Sequence, residues 1–170
     1  MNNVNGHSNT VVGGQNGING NNNGILGNFN IFNGSQNLVS GNVNAGQGDR
    51  NIIQGDFNKA FGSLNLINGS QNNAVGFLNL INGHQNNLQG NQNKIDGNVN
   101  QIKGDNNQLI GDANKILGSN NAGAGSFNNV IGQFNGFQGL YNNIAGEGNK
   151  AAGLFNQLTG TSNTAIGIGN

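Results

Sequence analysis

The chain has 170 residues, 32 of them glycine, with no proline, cysteine or tryptophan; 33% are hydrophobic, 7% are charged and the formal net charge is zero. The lack of cysteine excludes a disulfide framework and a thiolate metal site. A neutral balance argues against nucleic acid and anionic membranes as partners, since both need a basic patch, and no apolar run approaches the roughly 20 residues of a membrane-spanning helix.

Such a composition ordinarily describes a disordered, low-complexity chain, but the sequence keeps a strict register. From Gly6 through Gly167 every seventh residue is glycine, 24 of 24, and three places after each glycine stands asparagine, Asn9 through Asn170, again 24 of 24. Two places after each of the first 23 asparagines is an apolar slot, and only Gly46 and Gly123 leave it without a side chain. A solvated coil has no reason to count to seven. A coiled coil needs two apolar positions per heptad, and a glycine in every heptad costs a helix about 1 kcal/mol each time. Collagen needs glycine at every third residue. What remains is a series of short β-strands separated by turns.

Taken in chain order, the strands centre on Val11, Ile18, Ile25, Phe32, Val39, Ile53, Ile67, Ile81, Leu88, Ile95, Ile102 and their successors. Side chains alternate faces along a strand, so each asparagine shares a face with the apolar residue two places on. That face is assigned inward, and the residues flanking the apolar slot point outward. Glycine suits the corner, where φ turns positive or two backbones approach closely. An inward asparagine needs partners, since an unpaired buried amide costs about 1–3 kcal/mol. Stacked carboxamides such as Asn37, Asn51, Asn65, Asn79, Asn93 and Asn107 supply them as a ladder from coil to coil. The outward slot after asparagine reads Leu38, Ile52, Leu66 and Leu80 in alternate heptads, and Lys59, Asn73, Asn87 and Gln101 in those between. Two heptads of different exterior chemistry therefore make one coil. The expected fold is an all-β, single parallel β-solenoid (β-roll) domain over residues 1–170, with 14 residues and two short strands per coil, about twelve coils, and no separate caps or linkers.

The candidate residues follow in the same order. The opening Met-Asn-Asn-Val-Asn-Gly does not read as a secretory leader. His7 and His84 both follow a repeat glycine, but an odd number of heptads apart, so they cannot share a metal or a proton relay. The run Gly13-Gly14-Gln15-Asn16-Gly17 lacks the Lys-Ser/Thr and helix of a phosphate loop. Asn33-Gly34-Ser35 and Asn68-Gly69-Ser70 match the glycosylation sequon, as chance allows in so Asn-rich a chain. Asp49, Asp56, Asp105 and Asp112 also follow repeat glycines and are too dispersed to act as a catalytic pair. Leu38, Ile52, Leu66 and Leu80 form an outward apolar ladder expected to make lateral contacts. Phe29, Phe57, Phe127, Tyr141 and Phe155 share the slot before asparagine and define an aromatic edge. The repeat runs to Asn170, so the expectation is of open ends that stack head to tail into a filament.

The unit Gly-x-x-Asn-x-Val-x, as in Gly6 to Val12, resembles the repeat of the ryegrass-type antifreeze proteins, and the resemblance extends along the whole chain. It implies a left-handed β-roll of 14-residue coils, inhibition of ice recrystallisation, and an extracellular or cell-surface setting. In that family the ice-facing strand carries outward Thr, Ser and Val. Here threonine is confined to Thr10, Thr159, Thr161 and Thr164.

The sequence therefore points away from an enzyme and away from any cofactor or metal. It points to a structural solenoid whose partner is a second copy of itself, through end-to-end and lateral contacts. An ice surface or a passive adhesin-like stalk are the alternatives.

Overall fold

The structure, a computed structural model, describes residues 1–170 and contains 24 strands and no helix. Counted along the chain, odd strands pair only with odd and even only with even. Within each unit every pairing is parallel with the same offset: Ile67 lies between Ile53 and Ile81, and Phe32 between Ile18 and Gly46. Each coil holds one strand of each kind, giving a β-solenoid of twelve coils of 14 residues. The coils fall into two compact units, Met1–Gln85 and Asn86–Asn170, six coils in each.

In the first unit the odd sheet runs Asn3–Asn5, Gly17–Asn19, Ile31–Asn33, Ala45–Gln47, Lys59–Phe61, Asn73–Val75. The even sheet runs Thr10–Val12, Gly24–Leu26, Leu38–Ser40, Ile52–Gln54, Leu66–Asn68, Leu80–Asn82. In the second unit the strands lengthen from three to five residues from Ala122–Ser126 onward, taking in the corner glycine and the residue after it.

Every repeat asparagine from Asn16 to Asn156 is buried. Asn51 shows how such a polar residue is held inside. Its Nδ2 donates to Asn37 Oδ1 at 3.1 Å and to the Gly62 carbonyl at 2.8 Å. Its Oδ1 accepts from the backbone N–H of Asn65 at 3.0 Å and from Asn65 Nδ2 at 3.1 Å. Both donors and both lone pairs are used, the full capacity of a carboxamide. The backbone N–H of each ladder asparagine goes to the side chain of the asparagine one coil earlier, not to a carbonyl. The ladder thus supplies a rung that the sheet cannot form where the chain turns.

The corner itself takes two residues, with one other between them, into positive φ. The repeat glycine lies at φ 109–145°, and a Cβ on Gly55 would stand 2.0 Å from the Gly69 carbonyl oxygen. Close approach, as much as φ, demands glycine there. The next-but-one residue is in the left-handed region at every corner, and at 22 of them it is not glycine. Those include Phe29, Val43, Phe57 and Tyr141. For β-branched Val43 and Val99 this conformation costs on the order of 1–2 kcal/mol.

The apolar slots fill the space between the two sheets of each unit, from Ile18 to Ile81 in the first and from Leu88 to Leu158 in the second. The two vacancies are explained by ring volume. A Cβ on Gly46 would meet Phe32 Cε1 at 2.2 Å, and one on Gly123 would meet Phe137 at 2.3 Å. Each phenylalanine occupies the space of two slots, so its neighbour along the stack has none, as close packing requires.

Two outcomes follow. Gly55→Ala lowers unfolding free energy by about 3 kcal/mol or more through overpacking and strain, while Gly17→Ala, in an outward slot with open space around it, changes it by less than about 1 kcal/mol; urea denaturation separates the two. Asn51→Asp sets carboxylate oxygen where Nδ2 meets Asn37 Oδ1 and the Gly62 carbonyl. A loss well above about 3 kcal/mol is expected for this uncompensated buried charge. The conservative-looking Asp is the worse substitute than Ala in thermal denaturation at neutral pH.

Candidate functional site

With the inward positions committed to folding, the chemistry available to a partner is that of the outward slots and corners. At the corners a second ladder runs along the exterior. Within each unit and up to Asp112, wherever the slot one coil on holds an acceptor, the backbone N–H of the residue after the glycine donates to that side chain, as Asp112 N–H does to Ser126 Oγ at 3.3 Å. Ser35 N–H meets Asp49 Oδ1 at 2.6 Å, Asn42 N–H meets Asp56 Oδ1 at 2.6 Å, and Asn98 N–H meets Asp112 Oδ1 at 2.6 Å. Asp56 N–H meets Ser70 Oγ at 3.3 Å, and Ser70 N–H meets His84 Nδ1 at 3.1 Å. This ladder gives the four aspartates and His84 a structural role as acceptors for N–H groups that lack a carbonyl. His7 and His84 occupy different corners, and no three His, Asp or Glu side chains converge as a metal site would need. The sequence signal was present: Asn, Asp, Ser or His recurs in this slot, each able to accept a hydrogen bond from a neighbour.

Leu38, Ile52, Leu66 and Leu80 sit in consecutive coils of the even sheet and point outward in register. Leu38, Ile52 and Leu66 are 56%, 45% and 41% exposed, and Leu80 is half-buried. The structure extends this stripe in a way that the slot series missed. In the first two coils the post-asparagine slot holds Thr10 and Gly24, and the aliphatic residue moves to the other outward track, as Val12 and Leu26. Gly24 leaves a hollow over which Leu38 leans: a Cβ there would stand 3.1 Å from Leu38 Cδ1. Around it Val12, Leu26, Leu38 and Ser40 line a shallow trough of about 370 Å³. Leu64, Leu78 and Phe77 continue the apolar surface around the adjoining corner. None of the twelve outward residues of this sheet in the first unit is charged. The odd sheet of the same unit carries Lys59, and the even sheet of the second unit carries Lys94, Asp96 and Lys150.

The aromatic residues form two groups. In the first unit Phe29 and Phe57 are exposed with Val43 in the coil between them. In the second unit Phe127 and Tyr141 stack with centroids 4.9 Å apart at 9°, and Tyr141 and Phe155 at 5.0 Å and 4°. Parallel strands about 4.8 Å apart set that spacing. Tyr141 is covered on both faces, while Phe127 and Phe155 each keep an outer face open and all three remain exposed.

No family model matches the chain, and no curated protein does either. Among solved structures, the polySia-specific acetyltransferase NeuO aligns at 16% identity over 100% of this chain and 82% of that chain, with a TM-score of 0.21. Similarity of that degree carries no functional argument, and the ryegrass-type resemblance rests on the repeat alone.

Asp56→Asn retains an acceptor at a slot that Asn28 and Asn42 already fill, and is expected to leave stability within about 0.5 kcal/mol. Asp56→Leu strands the Asn42 N–H and lowers stability by about 1–2 kcal/mol, as denaturant midpoints will show.

Proposed function

We propose that the chain is a non-catalytic structural solenoid that associates with copies of itself side by side. The observation that carries this reading is the stripe of Val12, Leu26, Leu38, Ile52, Leu66 and Leu80 on an uncharged face of the first unit. Contiguous exposed apolar surface of this kind marks interaction sites in soluble proteins. A second copy is the favoured occupant because it presents the same coil spacing, so ridges and hollows meet in step over several coils. It also brings no charge to repel or to be buried. Self-association through one face needs only a two-fold operator, the commonest arrangement among homo-oligomers. Stacking of coils end to end is a further mode of the same behaviour, and would turn pairs into filaments.

Sedimentation velocity of the full chain across a hundredfold concentration range tests the proposal. Growth of the dimer or larger species with concentration is expected, and a monomer throughout overturns it. Ile52→Lys is the matching variant. Lysine already occupies the equivalent slot at Lys59, Lys94, Lys115 and Lys150, so the coil accepts it. A buried unpaired ammonium weakens association by roughly tenfold or more with an unchanged circular dichroism spectrum.

A second reading is ice binding, favoured by the regular, uncharged, in-register character of that same face. It predicts slowed ice recrystallisation at micromolar protein, reduced by Ile52→Lys; unchanged crystal growth with the parent chain rejects it.

A further inference from the structure

The even sheet of the first unit has two outward tracks, and their chemistry differs in the third to sixth coils. The track after asparagine carries Leu38, Ile52, Leu66 and Leu80, and the other carries Ser40, Gln54, Asn68 and Asn82. The polar track is itself laced along the stack, with Asn68 Nδ2 donating to Asn82 Oδ1 at 3.2 Å. With strands aligned and both tracks of one copy laid over both tracks of the other, two copies of such a face can meet about a two-fold axis in two ways. If the axis runs along the stack, coil order is kept but the tracks are exchanged. Leu38 then faces Ser40, Ile52 faces Gln54 and Leu66 faces Asn68, so each aliphatic group covers a polar side chain and offers it no hydrogen bond in place of the water it displaces. If the axis runs along the strands, coil order is reversed and each track faces itself. Aliphatic then meets aliphatic, and amide meets amide with donors and acceptors on both sides.

We infer that two copies pair face to face with their coil order opposed, the two-fold axis passing between the coils of Ile52 and Leu66. Leu38 of one copy lies over Leu80 of the other and Ile52 over Leu66, each twice by symmetry. Ser40 meets Asn82, and Gln54 meets Asn68. This inference rests on the self-association proposed above and specifies its geometry. It also selects against a third copy on the same face, since both tracks are used once. Lateral growth beyond the pair needs a different surface.

The chain has no cysteine, so single cysteine variants carry a spin label at one defined place. Gln15→Cys and Gln71→Cys are chosen because both are exposed residues in the same corner slot, in the first and fifth coils of the first unit. With coil order opposed, the two Gln71 positions are one coil spacing apart along the stack and the two Gln15 positions are seven. At about 4.8 Å per coil and about 10–20 Å across the interface at these set-back corners, the backbone separations are roughly 10–20 Å and roughly 35–40 Å. Pulsed and continuous-wave electron paramagnetic resonance on the labelled full-length chain, at a concentration where sedimentation shows pairs, reads both. A short Gln71 distance with a long Gln15 distance is the expected result. Equal distances mean that coil order is kept, and overturn this inference while self-association stands. Pairs in sedimentation without a short distance at Gln71 place the contact on another surface, and overturn it as well. A chain that sediments as a monomer at every concentration removes the self-association reading, and this geometry with it.

Discussion

The structure depends on one substitution of partners: a side-chain carboxamide standing in for a backbone carbonyl. Where the chain turns out of one strand and into the next, the N–H of each ladder asparagine has no carbonyl to meet. It is taken up by the Oδ1 of the asparagine one coil earlier, as Asn30 N–H is by Asn16 at 2.9 Å. The same carboxamide reaches forward to the next coil's corner carbonyl, as Asn30 Nδ2 does to Gly41 at 2.8 Å. Each residue of the ladder therefore ties its coil to both neighbours. A buried polar group that would be a liability alone becomes the reason for the fold's regularity, because the bonds close only when coils repeat at a fixed height. Glycine at the corner is the other half of the arrangement. The carbonyl that accepts from Nδ2 is the one that a Cβ on the preceding coil's glycine would strike.

Much of this was legible in the heptad. The invariant glycine and asparagine, with one apolar slot two places on, give the strand positions, the inward face and the 14-residue coil, because each makes physical sense only with in-register stacking. What the heptad hid lies where residue type and conformation disagree. The slot before asparagine holds Phe29, Val43, Leu64 and Tyr141, and none of these suggests a left-handed backbone. The turn dictates it and the ladder's bonds compensate. Gly46 and Gly123 read as gaps in the core until Phe32 and Phe137 are placed beside them. The outward stripe was legible from Leu38 to Leu80, where it keeps one slot. It was lost where it crosses to Val12 and Leu26, because only neighbouring coils in three dimensions bring the two tracks together. The aspartates and His84 invited a catalytic or metal reading that their dispersal argued against. Their role became visible only with the N–H groups that they accept.

Interior and exterior are under separate constraints. The inward slots hold only asparagine and apolar residues from glycine to phenylalanine, whereas the outward slots hold leucine, lysine, glutamine, asparagine, glycine and threonine at equivalent positions. Any specific recognition would have to be written there, on a scaffold that sets distances between side chains but not their identity. The uncharged even-sheet face of the first unit and the stacked rings of Phe127, Tyr141 and Phe155 are two distinct patterns on that exterior.

Because odd and even heptads use the same glycine, asparagine and apolar slot, the interior does not distinguish one from the other. Loss or duplication of a single heptad in evolution would leave every buried contact type intact, yet transfer all later exterior residues to the opposite side of the coil. Gain or loss of two heptads would shorten or lengthen the stack and leave every side unchanged. Lineages of such a chain can thus alter length in steps of 14 without consequence for what each side displays, while a step of seven rewrites the surface in one event.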